Sequence, residues 1–428
     1  MLRVLLFVLL LCAAGANAAV LVCDPPAGTV ITGGVQTFPL NCTLTLQPTP
    51  PVEPPPVSSC TGTPVTAAMS TAQIQALINS KPAGSTFCWA SGIYATSGYI
   101  TLTSGSRHLC TPSRSCTLTG NMTAVGAFRV NSGTNNVRIQ GFVLKDFLTP
   151  VGFPNACIQV RDGGVMEDNE VTNCNTGMDM EAGATARGNF IHHNRQYGIA
   201  GGPGNNILIE NNELSFNNTA HFDINNDAGG SKLVGSSPGV NGLIWRGNYV
   251  HDNYGNGIWS DGNLINVTYE NNRVENNGAS GINHEISWDA VIRNNQLKNN
   301  NTLIPANQSC WHGGEIALNN SRNVTISGNT LTPAPGKNGI CMVNSTRSET
   351  ASFPQFLGNI SATGNTTYTR GASHSGMTGD RAAAGISFSA NTYYLDSLLT
   401  VNWEMISAMT RAQWQAAGQD TAGVFRTW

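Results

Sequence analysis

The feature that most constrains this chain is a repeat. Around Asn248 to Arg293 a Val/Ile-rich run ends in Gly-Asn or Asn-Asn, a second short run ends in Asn, and Gly-Ile opens a third. The first Asn of each unit falls at Asn248, Asn272 and Asn295, at spacings of 24 and 23 residues, and Gly257-Ile258 and Gly281-Ile282 are again 24 apart. A period of this length without a helix-length apolar stripe signals a solenoid, each unit being one turn of a coil. One coil cannot bury its own apolar face. Stacking coils about 4.8 Å apart therefore makes the core.

From Val137 the repeat is continuous, with Asn169, Asn189, Asn212, Asn248, Asn272, Asn295, Asn329 and Asn365 in equivalent places. The long spacings among them equal one coil plus an insertion. These place loops around His221 to Asn241, Thr302 to Gly314 and Thr346 to Phe356. The repeated Asn suits the left-handed or bridge conformation of a sharp turn. Stacked in register, its side chains can bond along the solenoid as an amide ladder. On this reading the Asn residues are scaffold.

Solenoid ends need covers. Ser70-Thr71 can cap a short helix with Ile74, Leu77 and Ile78 on one face, ending near Lys81-Pro82. At the other end Thr410 can cap a helix over Arg411 to Ala417 with Gly418 as its stop, while Trp403 and Trp414 pack on the last coil.

Residues 1–18 read as a secretory signal: Arg3, the apolar run Val4 to Leu11, then small residues to Ala16-Asn17-Ala18. Residues 19–59 form a short Cys-bearing lead and a Pro-rich linker, and residues 60–428 the solenoid domain with its C-terminal cover. Cys12 leaves with the signal. The ten remaining cysteines point to disulfides in an exported protein, extracellular or periplasmic. Cys110 with Cys116 and Cys157 with Cys174 are reasonable local pairs, and Cys23 with Cys42 could close the lead. Charged residues make up only 11% and the net charge is -3, which gives no electrostatic reason for a nucleic-acid or membrane-surface partner. A monomer is expected.

Asn-rich coils with Gly-Ile strand starts, and strings such as GIWSDGN and GINHEISWDAVIRNN, resemble the right-handed parallel β-helix repeat proteins of the pectin-lyase-like superfold, over roughly residues 60–425. The resemblance implies an all-β, single-stranded right-handed parallel β-helix with short N- and C-terminal capping helices. It leaves activity open, because that superfold hosts polysaccharide lyases, glycoside hydrolases, uronan epimerases and non-enzymatic proteins.

Candidate chemistry follows from strand alternation. The strands after the ladder Asn start at Gly177-Met178, Gly198-Ile199, His221-Phe222, Gly257-Ile258, Gly281-Ile282 and Gly339-Ile340. The second residue points inward, so the third and fifth point outward. One outer face then collects Asp179, Glu181, Asp223, Asp261 and Glu285, with Asn225 and Trp259 in the same rows. Loops add Asp227, Lys232, His284, Trp288, Asp289, Trp311 and His312. An outward Trp259 beside carboxylates suits a sugar ring, which needs an apolar face and polar partners.

The favoured reading is a secreted glycoside hydrolase acting on a polysaccharide with no required cofactor. Asp261 and Glu285 would be its carboxylate pair, about 5 Å apart on adjacent coils. Asp223 or Asp227 would assist. Asp179, Glu181, Asn225, His284, Trp288 and Asp289 would join Trp259 and Lys232 in binding substrate. The alternative is a polysaccharide lyase or uronan C5-epimerase, in which the acids hold Ca²⁺ and Lys232 removes the C5 proton. A non-catalytic carbohydrate-binding or adhesion solenoid is the third. Strict alternation turns His284 inward. His192-His193 and His251 read as turn-edge residues.

Overall fold

The computed structural model describes residues 19–24, 41–46, 59–148, 155–235, 239–347, 355–371, 374–396 and 402–427. Short alternating runs form strands, and each coil folds where a residue enters the left-handed region. The chain divides into two units, Met1–Val52 and Glu53–Trp428. In the first, Ala19–Asp24 pairs antiparallel with Asn41–Leu46, and Cys23 stands opposite Cys42 in the backbone register. The signal expected over residues 1–18 and residues 47–58 of the expected linker lie outside the described residues. No described helix is long and apolar enough to cross a membrane.

The second unit is a parallel β-helix. Among the described residues a front sheet of 13 strands takes one strand from each coil, from Ile100–Thr101 through Ile258–Asp261 and Ile282–Glu285 to Trp403–Met405, and adds Ser407–Met409 at its end. Its pairings are parallel except for the closing Trp403–Met405 and Ser407–Met409. The remaining strands form a back sheet of two arms per coil, for example Leu264–Glu270 followed by Arg273–Glu275. Ile158, Met178, Ile199, Ser231, Ile258, Ile282, Ile316 and Ile340 form one inward row of the front sheet.

The amide ladder runs between the two arms of the back sheet. The backbone N–H and side-chain amide of Asn248 both donate to Asn272 Oδ1 at 3.0 Å. Asn272 does the same to Asn295 at 2.9 Å and also donates to the Trp245 carbonyl at 3.0 Å. The pattern runs from Asn169 to Asn391 and ends on Asp420, which accepts from Asn391, Tyr393 and Trp414. The ladder Asn are not themselves the left-handed residues. That conformation belongs to the residue before each, such as Gly247, Asn271 and Asn294 at φ 64, 56 and 54°. The ladder Asn instead points its amide into the stack.

A second ladder, Asn194, Asn217, Asn253, Asn277 and Asn300, follows the second arm. It explains the Gly of Gly-Ile. A Cβ on Gly257 would stand 2.9 Å from Asn277 Nδ2, and one on Gly281 2.7 Å from Asn300 Nδ2. In the next coil Glu315 replaces the Gly, and its carboxyl takes the place of the next Asn by accepting both Asn300 N–H groups. Burial pushes Glu315 up to about 8. Its folded value lies above the unfolded one, so the stability it contributes is full at acid pH. That stability is lost as pH rises towards 8, at up to about 1.4 kcal/mol per pH unit. Glu315→Gln keeps the acceptor without the charge. The variant should match the parent in denaturant titrations at pH 4 and exceed it at pH 8. Equal midpoints at pH 8 would contradict this.

Four disulfides join Cys60 to Cys88, Cys110 to Cys116, Cys157 to Cys174 and Cys310 to Cys341. The two expected local pairs are among them. Helix Thr71–Asn79, capped by Ser70 and Gln73, buries Ile74 and Ile78 at the N-terminal end, and helix Arg411–Ala416 buries Trp414 at the other.

Candidate functional site: a charged cleft on the front sheet

The outer face of the front sheet carries two rows of side chains. Gln159, Asp179, Ala200, Lys232, Trp259, Asn283, Ala317 and Cys341 form the first. Glu181, Gly202, Val234, Asp261, Glu285, Asn319 and Val343 follow two residues on. The register places Asp261 directly beside Glu285.

Their surroundings differ from the expectation in one decisive way, because each carboxylate has a cation. Lys232 Nζ lies 3.0 Å from Asp261 Oδ2, 3.7 Å from the centre of the Trp259 ring, and donates to the Asn226 carbonyl at 2.6 Å. Arg347 pairs with Glu285 Oε1, and the Trp259 indole N–H donates to Glu285 Oε2 at 3.1 Å. Both Glu285 oxygens are thus engaged. Burial, then the charge of Asp261, raise the Glu285 carboxyl, and Arg347 opposes them. Trp259 is only 2% exposed, because Lys232 covers its face. It is the floor of the cleft rather than an open platform. Tyr197 opens the neighbouring strand, and its hydroxyl is raised by burial, Asp227 and Asp261.

Towards the N-terminal coils, Arg161 pairs with Asp179 at 3.3 Å and with Glu181, and Gln159 donates to Asp179 at 3.2 Å. Burial pushes Asp179 up to about 6. Ala200 and Gly202 leave a gap of small side chains between this cluster and Lys232.

Several expected members lie elsewhere. The strand of the fourth repeat is Gly229–Val234, not a run from His221. Its inward position is Ser231 where other coils have Ile or Met, so the Gly-Ile signal is missing. Lys232 therefore takes the row assigned to Asp223, and Val234 that assigned to Asn225. Asp223 and Asn225 sit in the exposed loop before the strand, where Asp223 accepts from Asn225 and Asn226. Those bonds, the Asn225 N–H first, lower its carboxyl. Asp227 is exposed in the same loop, where its backbone carbonyl accepts from the Gln196 side chain at 2.9 Å.

His284 points into the core. Its Nδ1 lies 2.9 Å from Tyr269 Oη, which donates to Ser260 at 2.6 Å, and burial lowers it to about 3. It stays neutral and out of reach of a substrate. Trp288 and Asp289 belong to the back sheet, Trp288 under Arg322 and Asp289 accepting from Asn323 at 2.9 Å. Arg293 likewise pairs with Glu270 on the back sheet. Trp311 and His312 lie in a turn that the Cys310–Cys341 bridge fastens to the front sheet. Arg347 and Arg161 were missed. Arg161 had a local signal, two residues past Gln159 in the outward register. Arg347 had none, because it reaches Glu285 across 62 residues of sequence.

Stacked parallel coils define the class of the fold, the parallel β-helix. The family model described as a right handed beta helix region matches residues 128–287, and this chain is a right-handed parallel β-helix. No curated protein matches it in sequence. Solved structures of similar fold include the alginate lyase AlyF-OU02 in complex with G6, with TM-score 0.55, 13% identity, and 79% of this chain and 81% of that one covered. The PL6 family alginate lyase AlyGC has TM-score 0.53 and 14% identity, with 77% of this chain and 51% of that one covered. The Azotobacter vinelandii mannuronan C-5 epimerase AlgE6 A-module aligns at 17% identity and TM-score 0.47, over 74% of this chain and 94% of that one.

Proposed function

We propose that the cleft acts on a polyuronide by removing the proton at C5 of a uronic acid residue, with β-elimination of the glycosidic bond as the outcome. The observation that carries this is the alternation Lys232–Asp261 and Glu285–Arg347 on one outward face. Arg347 and Arg161 add positive charge to this face, and Asp223 lies outside it in the loop before the strand. The solved structures named alginate lyases act, by name, on a polyuronide.

In this reading Arg347 exchanges Glu285 for the substrate carboxylate and neutralises it, which acidifies C5–H. Lys232 Nζ takes that proton. The electron pair forms the C4–C5 double bond, the C4–O4 bond breaks, and O4 leaves with a proton that we assign to Tyr197. Epimerisation would share the first step and return a proton from the opposite face.

In this proposal Arg347, rather than Ca²⁺, neutralises the substrate carboxylate. Full activity in excess EDTA is therefore expected, and abolition by the chelator would count against Arg347 in this role.

The test is incubation of the purified protein with alginate and polygalacturonate in D₂O. A rise in ultraviolet absorbance reports the unsaturated uronate of elimination, and C5 deuterium without absorbance reports epimerisation. New reducing ends with neither would overturn the proposal and favour a hydrolase. One observation supports that second reading: burial and Asp261 hold the Glu285 carboxyl raised, as a general acid requires.

A further inference from the structure

Trp259 touches both ion pairs of the cleft. Lys232 stands one strand before it in the same outward row, and Glu285 stands one strand after it and two residues on. The Trp259 ring lies 3.7 Å from Lys232 Nζ, and its indole N–H donates to Glu285 Oε2 at 3.1 Å. Lys232 also reaches Asp261 at 3.0 Å, and Glu285 Oε1 takes Arg347. The two pairs thus meet on one indole.

The burial of this indole is not core packing. Trp259 points outward and lies outside the apolar core that the inward rows build, yet it is only 2% exposed. A substrate in the cleft would meet Lys232 and Arg347 rather than the ring beneath them. A cation over an aromatic face and a carboxylate on an indole N–H are directional contacts. The ring therefore sets where both charged groups stand.

Exchange at Arg347 gives the second contact its consequence. When a substrate carboxylate takes the guanidinium, Glu285 loses that partner. The charges that act on Glu285 are those of Asp261, Arg347 and Lys232, so Lys232 is the cation left to it. A carboxylate that moved onto Lys232 Nζ would occupy the nitrogen that must receive the C5 proton. On the polyuronide reading of the cleft, on which this rests, we infer that Trp259 is a positioning residue. Its ring seats Lys232, and its indole N–H retains Glu285 once the substrate has displaced it from Arg347.

Two substitutions separate the roles. Trp259→Phe keeps a ring under Lys232 and removes the N–H, whereas Trp259→Leu removes both. On a polyuronide that the parent degrades, Trp259→Phe should lower kcat/KM about ten-fold, the effect of one hydrogen bond to a charged group. In a Glu285→Gln background the same change should cost no more than about 2-fold, because a neutral amide neither competes for Arg347 nor moves onto Lys232. A residue that only fills space would cost the same in both backgrounds. The seat of Lys232 is read without substrate, by acetic anhydride labelling of the folded chain and peptide mass spectrometry, with the exposed Lys298 as internal standard. Lys232 should label about five-fold faster in Trp259→Leu than in the parent, and within about 2-fold of the parent in Trp259→Phe. Trp259→Met replaces the Leu variant if that one does not melt cooperatively. Equal labelling in all three proteins would overturn the seat, and equal costs of Trp259→Phe in the two backgrounds would overturn the retention of Glu285. A parent that degrades no polyuronide is a separate failure. It removes the reading of the cleft and the retention of Glu285 with it, while the labelling still decides the seat.

Discussion

Lys232→Met should lower turnover on a polyuronide by about 10²- to 10⁴-fold, the usual contribution of a positioned base, while the protein stays folded and still binds substrate. Met keeps the length that covers Trp259 but cannot take a proton. Parent and variant should differ chiefly in kcat, since the lost interaction belongs to the transition state. A hydrolase using Glu285 as its acid would lose rate as pH rises, because burial and Asp261 raise a carboxyl that must keep its proton. Asp223→Asn is the control, because an exposed side chain occupied with its own turn should change the rate by no more than about 2-fold. Retention of full C5 exchange in Lys232→Met would sink the assignment.

The largest effect on stability is expected at the ladder. Asn272→Ala removes the acceptor of both Asn248 N–H groups and one donor to the Trp245 carbonyl, all buried. Asn248 Nδ2 keeps the Ile209 carbonyl, so the Asn248 N–H and the Trp245 carbonyl are the two groups left without a partner. At about 1–3 kcal/mol each, a loss of about 2–6 kcal/mol should appear in denaturant unfolding. That is a large part of the 5–15 kcal/mol or so that ordinarily separates folded from unfolded chains. Asn276→Gly is the contrasting substitution. Asn276 supplies only a left-handed turn, which Gly also adopts, and the change should stay within about 1 kcal/mol. A loss below about 1 kcal/mol at Asn272 would mean that water replaces the ladder bonds.

The period of 23 to 24 residues, the Gly-Ile starts and the paired Asn were enough to read the coil, its ladder and both caps. They also put Asp261 beside Glu285, because two consecutive coils without insertions share one register. The neighbouring coil broke that register. Ser231 occupies a slot that other coils fill with Ile or Met, so the pattern points to a strand at His221 where the structure has a loop, and to a loop at Gly229 where it has a strand. The error exchanged Lys232 for Asp223 and turned a mixed-charge cleft into an acidic one. Trp259 was rightly placed outward, but strand alternation cannot say whether another side chain covers it.

What the sequence by itself determined is the architecture, because a solenoid is built from local, repeated instructions: apolar alternation, a left-handed residue, and an amide that stacks on its copy. What only the tertiary structure decided is the electrostatics of the cleft. Lys232 and Arg347 meet Asp261 and Glu285 from an irregular strand and a distant loop, and no period records either. Charge pairing depends on distances of a few ångströms between segments far apart in the chain, and only the stacked coils set those.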